Sequence, residues 1–201
     1  MDLKMENKMT FNQYRGIDLT VFAVLTAVFE CIATFATSKW FAGQPVAISI
    51  TLTLILITMH RWGAYSAIVA LAGGISFCAA SGAAPEHYLI YGVGNVFALV
   101  SLAYFKLFGK EKIKTSFSKT LLLASTSYVA GALGRWLISL IFGAGFSELV
   151  GFLTSDLITL LFAVVILYSC KSVDGLIEDQ KAYIIRVNEE KKTPSISYDD
   201  E

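Results

Sequence analysis

The chain has few charged residues for its length. Charged side chains make up 16% of its 201 residues, and 55% of the residues are hydrophobic. An average soluble domain has about 25% charged residues. The apolar residues also come in blocks of about 20, the length that a bilayer core requires. We therefore predict one membrane domain and no separate soluble domain. The formal net charge is zero, so the composition gives no reason to expect a nucleic-acid partner.

Several signatures of enzymes and metal sites are missing. The chain has no G-x-x-x-x-G-K-[ST] sequence, which excludes a P-loop nucleotide hydrolase. His60 and His87 are the only histidines, and neither has neighbouring ligands at the spacing of a metal site. Cys31, Cys78 and Cys170 lie in apolar runs and are interpreted as small hydrophobic residues. We expect no enzymatic activity, no metal and no cofactor.

The apolar blocks predict an all-α membrane domain over residues 16–170. A polar N-terminal segment, 1–15, leads into a first block that is too long for a signal-peptide core. The second block is short, about 21 Å as a helix, and its length alone would favour a buried or re-entrant segment. The six predicted spans are Ile17–Ala36, Val46–Met59, Gly63–Ala80, Tyr88–Phe105, Leu121–Phe142 and Leu149–Tyr168.

The distribution of Lys and Arg is the reason for keeping the second span. With six spans, all but two of the 16 Lys and Arg residues lie on one side of the membrane. The exceptions are Lys39, on the other side, and Arg135, within a span. Because cytoplasmic loops carry an excess of Lys and Arg, we predict a multi-pass protein of the cell membrane with both termini in the cytoplasm.

Beyond the last span, apolar residues recur at helical spacing over residues 171–192. This pattern predicts an amphipathic cytoplasmic helix that lies on the membrane or on a partner. A loosely ordered tail with chance periodicity is the alternative. The final segment, 193–201, is predicted to be disordered. The recurring apolar residues are Val173, Leu176, Ile177, Ile184 and Val187.

Three ionisable residues lie inside different predicted spans. They are Glu30, Arg135 and Asp156, and such residues usually face a protein interior or a water-filled cavity because charge is costly in lipid. At about 1.5 Å per residue, each lies roughly 9–10 Å from the outer end of its span, and so does Asn95 in a fourth span. Four helices thus place a polar group at one depth, which predicts a solute-binding pocket open to the outside.

Each side chain has an expected role in this pocket. Arg135 would hold an anionic or carbonyl group with its planar fork of donors. Glu30 and Asn95 would make hydrogen bonds with the solute, and Asp156 completes the polar layer. Three aromatic residues are expected to stack on a flat ligand. These are Tyr91, Trp136 and Trp40.

Some of these assignments have structural alternatives. Arg135 could pair with Glu30 or Asp156 merely to neutralise buried charge, and pairing and binding could hold at once. The sequence Thr-Ser-Asp that ends at Asp156 precedes LITLLF and is also typical of a helix N-cap. Trp40 falls at a span end, where an aromatic belt is expected.

The first span offers a surface for another helix. Ala23 and Ala27 form a small-x-x-x-small pair in the sequence AVLTA, which lets two membrane helices approach closely. Packing against a helix of the same chain is the alternative to a partner protein.

Taken together, these features resemble the substrate-binding S-components of energy-coupling factor (ECF) transporters, a type of ABC transporter. The resemblance rests on six spans with both ends inside and on four short sequences. These are AVLTA in the first span, RWGAYSAIVALAGGI entering the third, HYLIYGVGN opening the fourth, and TSDLITLL in the last, the alanine pair of AVLTA included.

The resemblance implies a function and partners. An S-component captures a vitamin or related micronutrient on the outer side and docks on a transmembrane coupling protein that carries two ATPase subunits. Ala23 and Ala27 would then form the docking surface. Glu30 lies within about 60° of that surface on the helix, so it could face the coupling partner and not the pocket.

Two other classes of function fit the same chain. A structural subunit of a cell-shape or assembly complex would bind no solute. A small proton-coupled carrier would use Glu30 or Asp156 to move protons, although we see no internal repeats of the kind found in many self-contained transporters.

Overall fold

A computed structural model describes residues 10–42 and 47–192, and this part of the chain is helical with no β-strand. The prediction of an all-α protein is confirmed for these residues. Short 3₁₀ segments continue several helices, at Gly63–Ser66, Phe97–Leu102, Leu140–Phe142 and Cys170–Ser172. The helices are α1 (Phe11–Trp40), α2 (Thr51–Trp62), α3 (Ala67–Ser81), α4 (Pro85–Val96), α5 (Ala103–Phe108), α6 (Lys110–Thr115), α7 (Phe117–Ser139), α8 (Phe146–Ser155), α9 (Leu157–Ser169) and α10 (Gln180–Lys192).

Within the described residues, four helical runs are long and apolar enough to cross a membrane. A bent pair, Phe146–Ser155 with Leu157–Ser172, forms a fifth candidate with an angle of 42° at its break. The chain therefore has four to five candidate membrane spans, and the count of six stays a prediction. The other four candidates are Phe11–Trp40, Thr51–Ser81, Pro85–Phe108 and Phe117–Phe142.

The run Thr51–Ser81 folds back on itself at Gly63. This residue has a φ of +60°, which glycine adopts without steric cost. A Cβ atom added to Gly73 would collide with the side chain of Thr51, although a straight helix would hold these residues about 33 Å apart. The predicted short second span thus corresponds to α2, a helix of 12 residues, and α3 returns beside it.

Contacts at two levels of α1 show its direction relative to its neighbours. Near the start of α1, Asp18 pairs with Arg61 at the end of α2, with 2.6 Å between Asp18 Oδ1 and Arg61 Nη2. A little over three turns further on, Glu30 meets Thr51 at the start of α2. Helices α1 and α2 are therefore antiparallel.

The later segments alternate in the same way. Gly94 of α4 lies against the backbone of Arg135 in α7. Ser101, which follows Gly94 in the chain, forms a hydrogen bond with Ser127, which precedes Arg135 in α7. Helices α4 and α7 are thus antiparallel. The start of α1 and the segment after α9 lie at one end of the bundle, because the Tyr14 hydroxyl donates to Gln180 Oε1 at 3.0 Å.

Both ends of the described chain refine the predicted domain limits. Helix α1 begins at Phe11, inside the segment 1–15, because Thr10 and Gln13 form a capping box. The predicted helix over 171–192 is wrong in its first half, since α10 begins only at Gln180 and Gly175 has a φ of +68°. The predicted disorder of 193–201 lies outside the described residues.

The segment between α9 and α10 is held against the bundle by charged side chains. Arg61 donates to both carboxylate oxygens of Asp18 and to the Gly175 carbonyl. Lys110 Nζ donates to Asp179 Oδ2 at 2.5 Å. Burial opposes the charge of Asp179, but the hydrogen bond and charge of Lys110 outweigh it, so the pKa of this carboxyl lies below its usual value.

Apolar contacts complete this docked segment. Ile177 and Ile184 are buried, whereas Val173 is 50% exposed. The predicted spacing therefore selected two buried residues, Ile177 in the loop and Ile184 in α10, although it placed a helix where the chain forms a loop.

Candidate functional site

A cavity lined by both polar and apolar side chains lies inside the bundle, between α1, α2, α3, α4, α7 and the break between α8 and α9. The four polar residues predicted at one depth all line it: Glu30, Asn95, Arg135 and Asp156. Tyr91 lines it as well. The structure thus brings together the predicted polar layer from four segments of the chain. Lining residues that the sequence analysis did not select include Ser49, Thr51, Phe77, Ser127, Tyr128 and Thr159.

The cavity is small, with a volume of about 50 Å³. A single water molecule needs at least about 10–15 Å³, so the space suits only a few waters. A solute larger than that can enter only if the surrounding helices or side chains move apart.

Glu30 is buried and caps another helix. Its side chain is 1% exposed, and Oε2 accepts hydrogen bonds from Ser49 Oγ at 2.8 Å, Ile50 N at 3.1 Å, Thr51 N at 3.2 Å and Thr51 Oγ1 at 2.7 Å. Helix α2 has no side-chain cap of its own, and the first backbone N–H groups of a helix need acceptors. Glu30 supplies such an acceptor from α1. Its side chain therefore faces the cavity, although it lies close to Ala27 on the helix.

Arg135 forms an ion pair with Asp156. Arg135 Nη1 donates to Asp156 Oδ2 at 2.5 Å, and its guanidinium carbon lies 5.2 Å from the ring centre of Phe152 and 5.4 Å from that of Tyr91. Arg135 Nε is buried and has no hydrogen-bond partner among residues 10–42 and 47–192. The pairing alternative is therefore present with Asp156 as the partner, and it leaves one buried donor unused.

Asp156 occupies the break between α8 and α9. It stands at the N-cap position of α9, as the Thr-Ser-Asp sequence indicated, but its side chain makes no capping hydrogen bond. Instead, Oδ1 accepts from Ser155 Oγ at 3.0 Å and Oδ2 accepts from Arg135. Asp156 therefore occupies the predicted N-cap position of α9, but its carboxylate does not cap the helix.

Asn95 and Tyr91 come from the same helix, α4. Asn95 is partly buried, and its carboxamide makes no hydrogen bond with any residue that the structure describes. The Tyr91 ring packs on Phe77, with 4.6 Å between ring centres, and meets Phe152 edge-on at 5.9 Å. Tyr91 thus forms part of the wall, while Asn95 offers an unused donor and acceptor.

Two of the predicted aromatic residues lie away from the cavity. Trp136 follows Arg135 and so points about 100° further around the helix, where its Nε1 donates to the Gly145 carbonyl at 3.1 Å and its ring packs on Phe146. Trp40 is 77% exposed at the end of α1. Neither residue lines the cavity, so their predicted stacking role is wrong for this structure.

Glycines let the walls of the cavity approach closely. A Cβ atom on Gly94 would lie 2.6 Å from Arg135 Cα, and one on Gly134 would collide with the Gly94 carbonyl and with Phe97. Contacts this short would force α4 and α7 apart. Because Asn95 and Arg135 are the next residues along their helices, these two glycines set the distance between two walls of the cavity.

The alanine pair of α1 is half-buried. Ala23 and Ala27 are both partly exposed, and Cys31, one turn beyond Ala27 on the same stripe, lies 3.9 Å from the Ser76 carbonyl of α3. Part of the stripe therefore packs within the chain. The coupling role of Ala23 and Ala27 stays a prediction.

The site combines one cation, two carboxylates, an unused carboxamide and aromatic walls. This arrangement can bind a small polar molecule by hydrogen bonds and charge. Comparisons of the chain with protein-family models, with curated proteins and with solved structures find no match.

Proposed function

We propose that this protein is the substrate-capture subunit of a micronutrient importer, of the kind that S-components form in ECF transporters. The observation that carries the proposal is the cavity, which gathers Glu30, Asn95, Arg135 and Asp156 inside an apolar bundle. Burying a polar group costs free energy unless the group forms a hydrogen bond or an ion pair. Arg135 Nε is buried and has no hydrogen-bond partner in the described part of the chain. The Asn95 carboxamide is only partly buried and makes no hydrogen bond there, and a vitamin-like solute would supply partners for both.

Six crossings with both termini in the cytoplasm are part of this proposal. The alternating directions of α1, α2, α3, α4–α5, α7 and α8–α9 support it, and so does the position of the basic residues. Arg61 and Lys110 lie at the end of the bundle that holds the start of α1 and the segment after α9. In the positive-inside arrangement this end faces the cytoplasm.

The proposed partners are a transmembrane coupling protein and two ATPase subunits. The bundle contains no P-loop sequence that could use ATP, so import against a gradient requires an external source of energy. The half-buried pair Ala23 and Ala27 leaves room for a partner helix beside α3.

The test begins with the solute that the purified protein retains. We expect denaturation followed by mass spectrometry to release a micronutrient-sized molecule in a stoichiometric amount. Its affinity, measured by isothermal titration calorimetry, should fall in Asn95→Ala because a hydrogen bond to the solute is lost, by roughly 10-fold for about 1–1.5 kcal/mol. Trp40→Ala is the matched control, since Trp40 lies outside the cavity, and should bind with wild-type affinity.

Other outcomes would favour the other classes. Protein that retains no solute and is recovered from membranes with cell-wall machinery in place of an ATPase module fits a structural subunit. Uptake by the protein alone in liposomes, driven by a proton gradient, fits a small carrier and contradicts the capture-subunit proposal.

A further inference from the structure

The charges that line the cavity do not cancel. The lining contains one basic residue, Arg135, and two acidic residues, Asp156 and Glu30. Arg135 is committed to Asp156 through the 2.5 Å contact. Glu30 has no Lys, Arg or His partner within residues 10–42 and 47–192, so the cavity has one more acidic than basic side chain.

Burial in the bundle opposes a charge on Glu30, whereas its contacts favour the charged form. Four donors converge on Oε2, two from backbone N–H groups and two from hydroxyls. The Ser49 hydroxyl itself accepts from Thr51 N at 3.1 Å, so its proton is directed at Glu30. The positive end of the α2 dipole adds to this stabilisation. Hydrogen bonds of this kind stabilise a carboxylate over the neutral acid.

The second oxygen of Glu30 remains available. Oε1 accepts no hydrogen bond from the described residues, although the side chain is 1% exposed and lines the cavity. A buried carboxylate oxygen without a donor is a position where a positively charged or strongly donating group gains most, since water cannot screen the attraction.

We propose that the captured solute is a monocation whose charged nitrogen, as an ammonium or a ring nitrogen, binds Glu30 Oε1. This inference rests on the proposed function of the cavity and names the chemical class of its solute. An anionic solute would meet a net negative site and add repulsion. A cation restores neutrality in a space where an unpaired charge is costly.

The remaining walls fit an uncharged body attached to the cation. Leu52, Ile55 and Ala98 form apolar lining, and Phe77 and Tyr128 add aromatic rings, a side-chain type that attracts cations. Asn95 offers one donor and one acceptor away from any ion pair. The solute we infer is therefore a cation with an apolar or aromatic frame and one neutral polar group.

The experiment measures the charge of the solute and its dependence on Glu30. Solute released from wild-type protein is separated by cation-exchange chromatography at pH 7 and identified by mass spectrometry. We expect retention as a monocation. In Glu30→Gln, which keeps an acceptor for the start of α2, affinity for that same purified solute should fall about 10- to 100-fold, as for a lost charged hydrogen bond.

A second measurement on wild-type protein avoids any dependence on how the variant folds. Solute-free protein is heated with 1-methylnicotinamide, nicotinamide or nicotinate, which share one ring and carry charges of about +1, 0 and −1 at neutral pH. We expect the cation to raise the melting midpoint more than either analogue. A larger rise with nicotinate overturns the inference.

The failure of this inference differs from the failure of the proposed function. If the retained solute is neutral or anionic, or binds Glu30→Gln with wild-type affinity, the inference of a cationic solute is wrong. Solute capture itself would still stand. A protein that retains and binds no solute at all removes both.

Discussion

Arg135 and Asp156 can stay inside an apolar bundle because each neutralises the other. Both side chains are largely buried, at 8% and 13% exposure, and removing one partner from a buried pair leaves an uncompensated charge. The guanidinium also lies over the rings of Tyr91 and Phe152, so it holds α4, α7 and the break between α8 and α9 together. The pair is thus structural even if a solute also uses Arg135.

Arg135→Ala should destabilise the protein strongly. The substitution strands Asp156, and breaking a buried pair costs about 3–5 kcal/mol. We expect a clearly lower melting midpoint in detergent, and a partial recovery in the double variant with Asp156→Ala, where no charge is stranded. Reversible unfolding of the four proteins of this cycle measures the coupling free energy.

Arg186→Ala is the matched control for that cycle. Arg186 pairs with Asp174 at 2.7 Å, but both side chains are well exposed, and exposed pairs contribute little because water screens them. Its melting midpoint should stay close to that of the wild type. Equal losses in Arg135→Ala and Arg186→Ala would contradict the view that burial makes the Arg135 pair important.

At the residue scale, helical geometry accounts for what could be predicted. Depth along each span, counted from the residues, was enough to select Glu30, Asn95, Arg135 and Asp156, because a helix rises by a fixed amount per residue. The direction in which a side chain points around the helix is equally important, as Trp136 shows. It is adjacent to Arg135 in sequence but faces a different neighbour.

Other lining residues could not be selected from periodicity. Ser49 precedes α2 in a connection that is not helical, and its contact with Glu30 depends on how α1 and α2 pack. Thr51 could be read only as one polar residue of a short apolar run. Predicting its bond to Glu30 requires the antiparallel register of α1 and α2, which sequence spacing does not contain.

At the scale of elements, the cavity depends on how closely α4 and α7 pack. Gly94 and Gly134 face each other at the crossing, and neither has space for a side chain. Small residues at such crossings are how membrane helices gain contact without a hydrophobic driving force. Asn95 and Arg135 reach the same cavity because the two backbones meet beside them.

Gly94→Ala should separate α4 from α7. The added methyl group would lie 2.6 Å from Arg135 Cα, so backbone must shift, and overpacking of this kind costs about 1–3 kcal/mol. We expect a lower melting midpoint together with weaker binding of the retained solute, since Asn95 moves with the helix. Thermal unfolding and calorimetry on the same preparation measure both effects.

Gly16→Ala is the control for this substitution. Gly16 lies in α1 with no atom near the position of an added Cβ, and alanine is favoured over glycine in a helix by about 0.5–1 kcal/mol. Its melting midpoint should be unchanged or slightly higher. A Gly94→Ala protein as stable as Gly16→Ala would show that the crossing has room to adjust.

The helices themselves could largely be predicted from the sequence, but the breaks between them could not. The predicted span Leu149–Tyr168 covers α8 and α9, but apolar content does not reveal the 42° bend at Asp156. At that bend Asp156 pairs with Arg135 of another helix, a contact that sequence spacing does not contain. In the same way, residues 173–179 are held as a loop by Arg61 and Lys110, so tertiary contacts override the helical spacing there.

At the scale of the whole molecule, charge and chain direction point to one orientation. Basic residues cluster where α1 starts and α10 docks, while Lys39 is at the opposite end of α1. The bend at Gly63 is decisive, because a straight Thr51–Ser81 helix would give five crossings and put the two ends of the chain on opposite sides. The proposed six alternating crossings would put them on the same side.

Single-cysteine labelling distinguishes these two topologies. In a background with Cys31, Cys78 and Cys170 replaced by alanine, an impermeant maleimide should label Ser147→Cys in intact cells, since Ser147 is exposed beyond the outer end of α7. Asn12→Cys and Val173→Cys lie at the other end, both exposed, and should react only after the membrane is permeabilised.

Asn12→Cys and Val173→Cys together show whether the number of membrane crossings between them is even or odd. With an even number, Asn12→Cys and Val173→Cys react under the same condition whichever way the bundle is inserted. Reaction of one in intact cells and of the other only after permeabilisation would mean an odd number, and the reversal at Gly63 would then not carry the chain back across the membrane. Labelling of both from outside, with Ser147→Cys protected, would keep six crossings but invert the orientation and place the basic end outside, against the positive-inside rule.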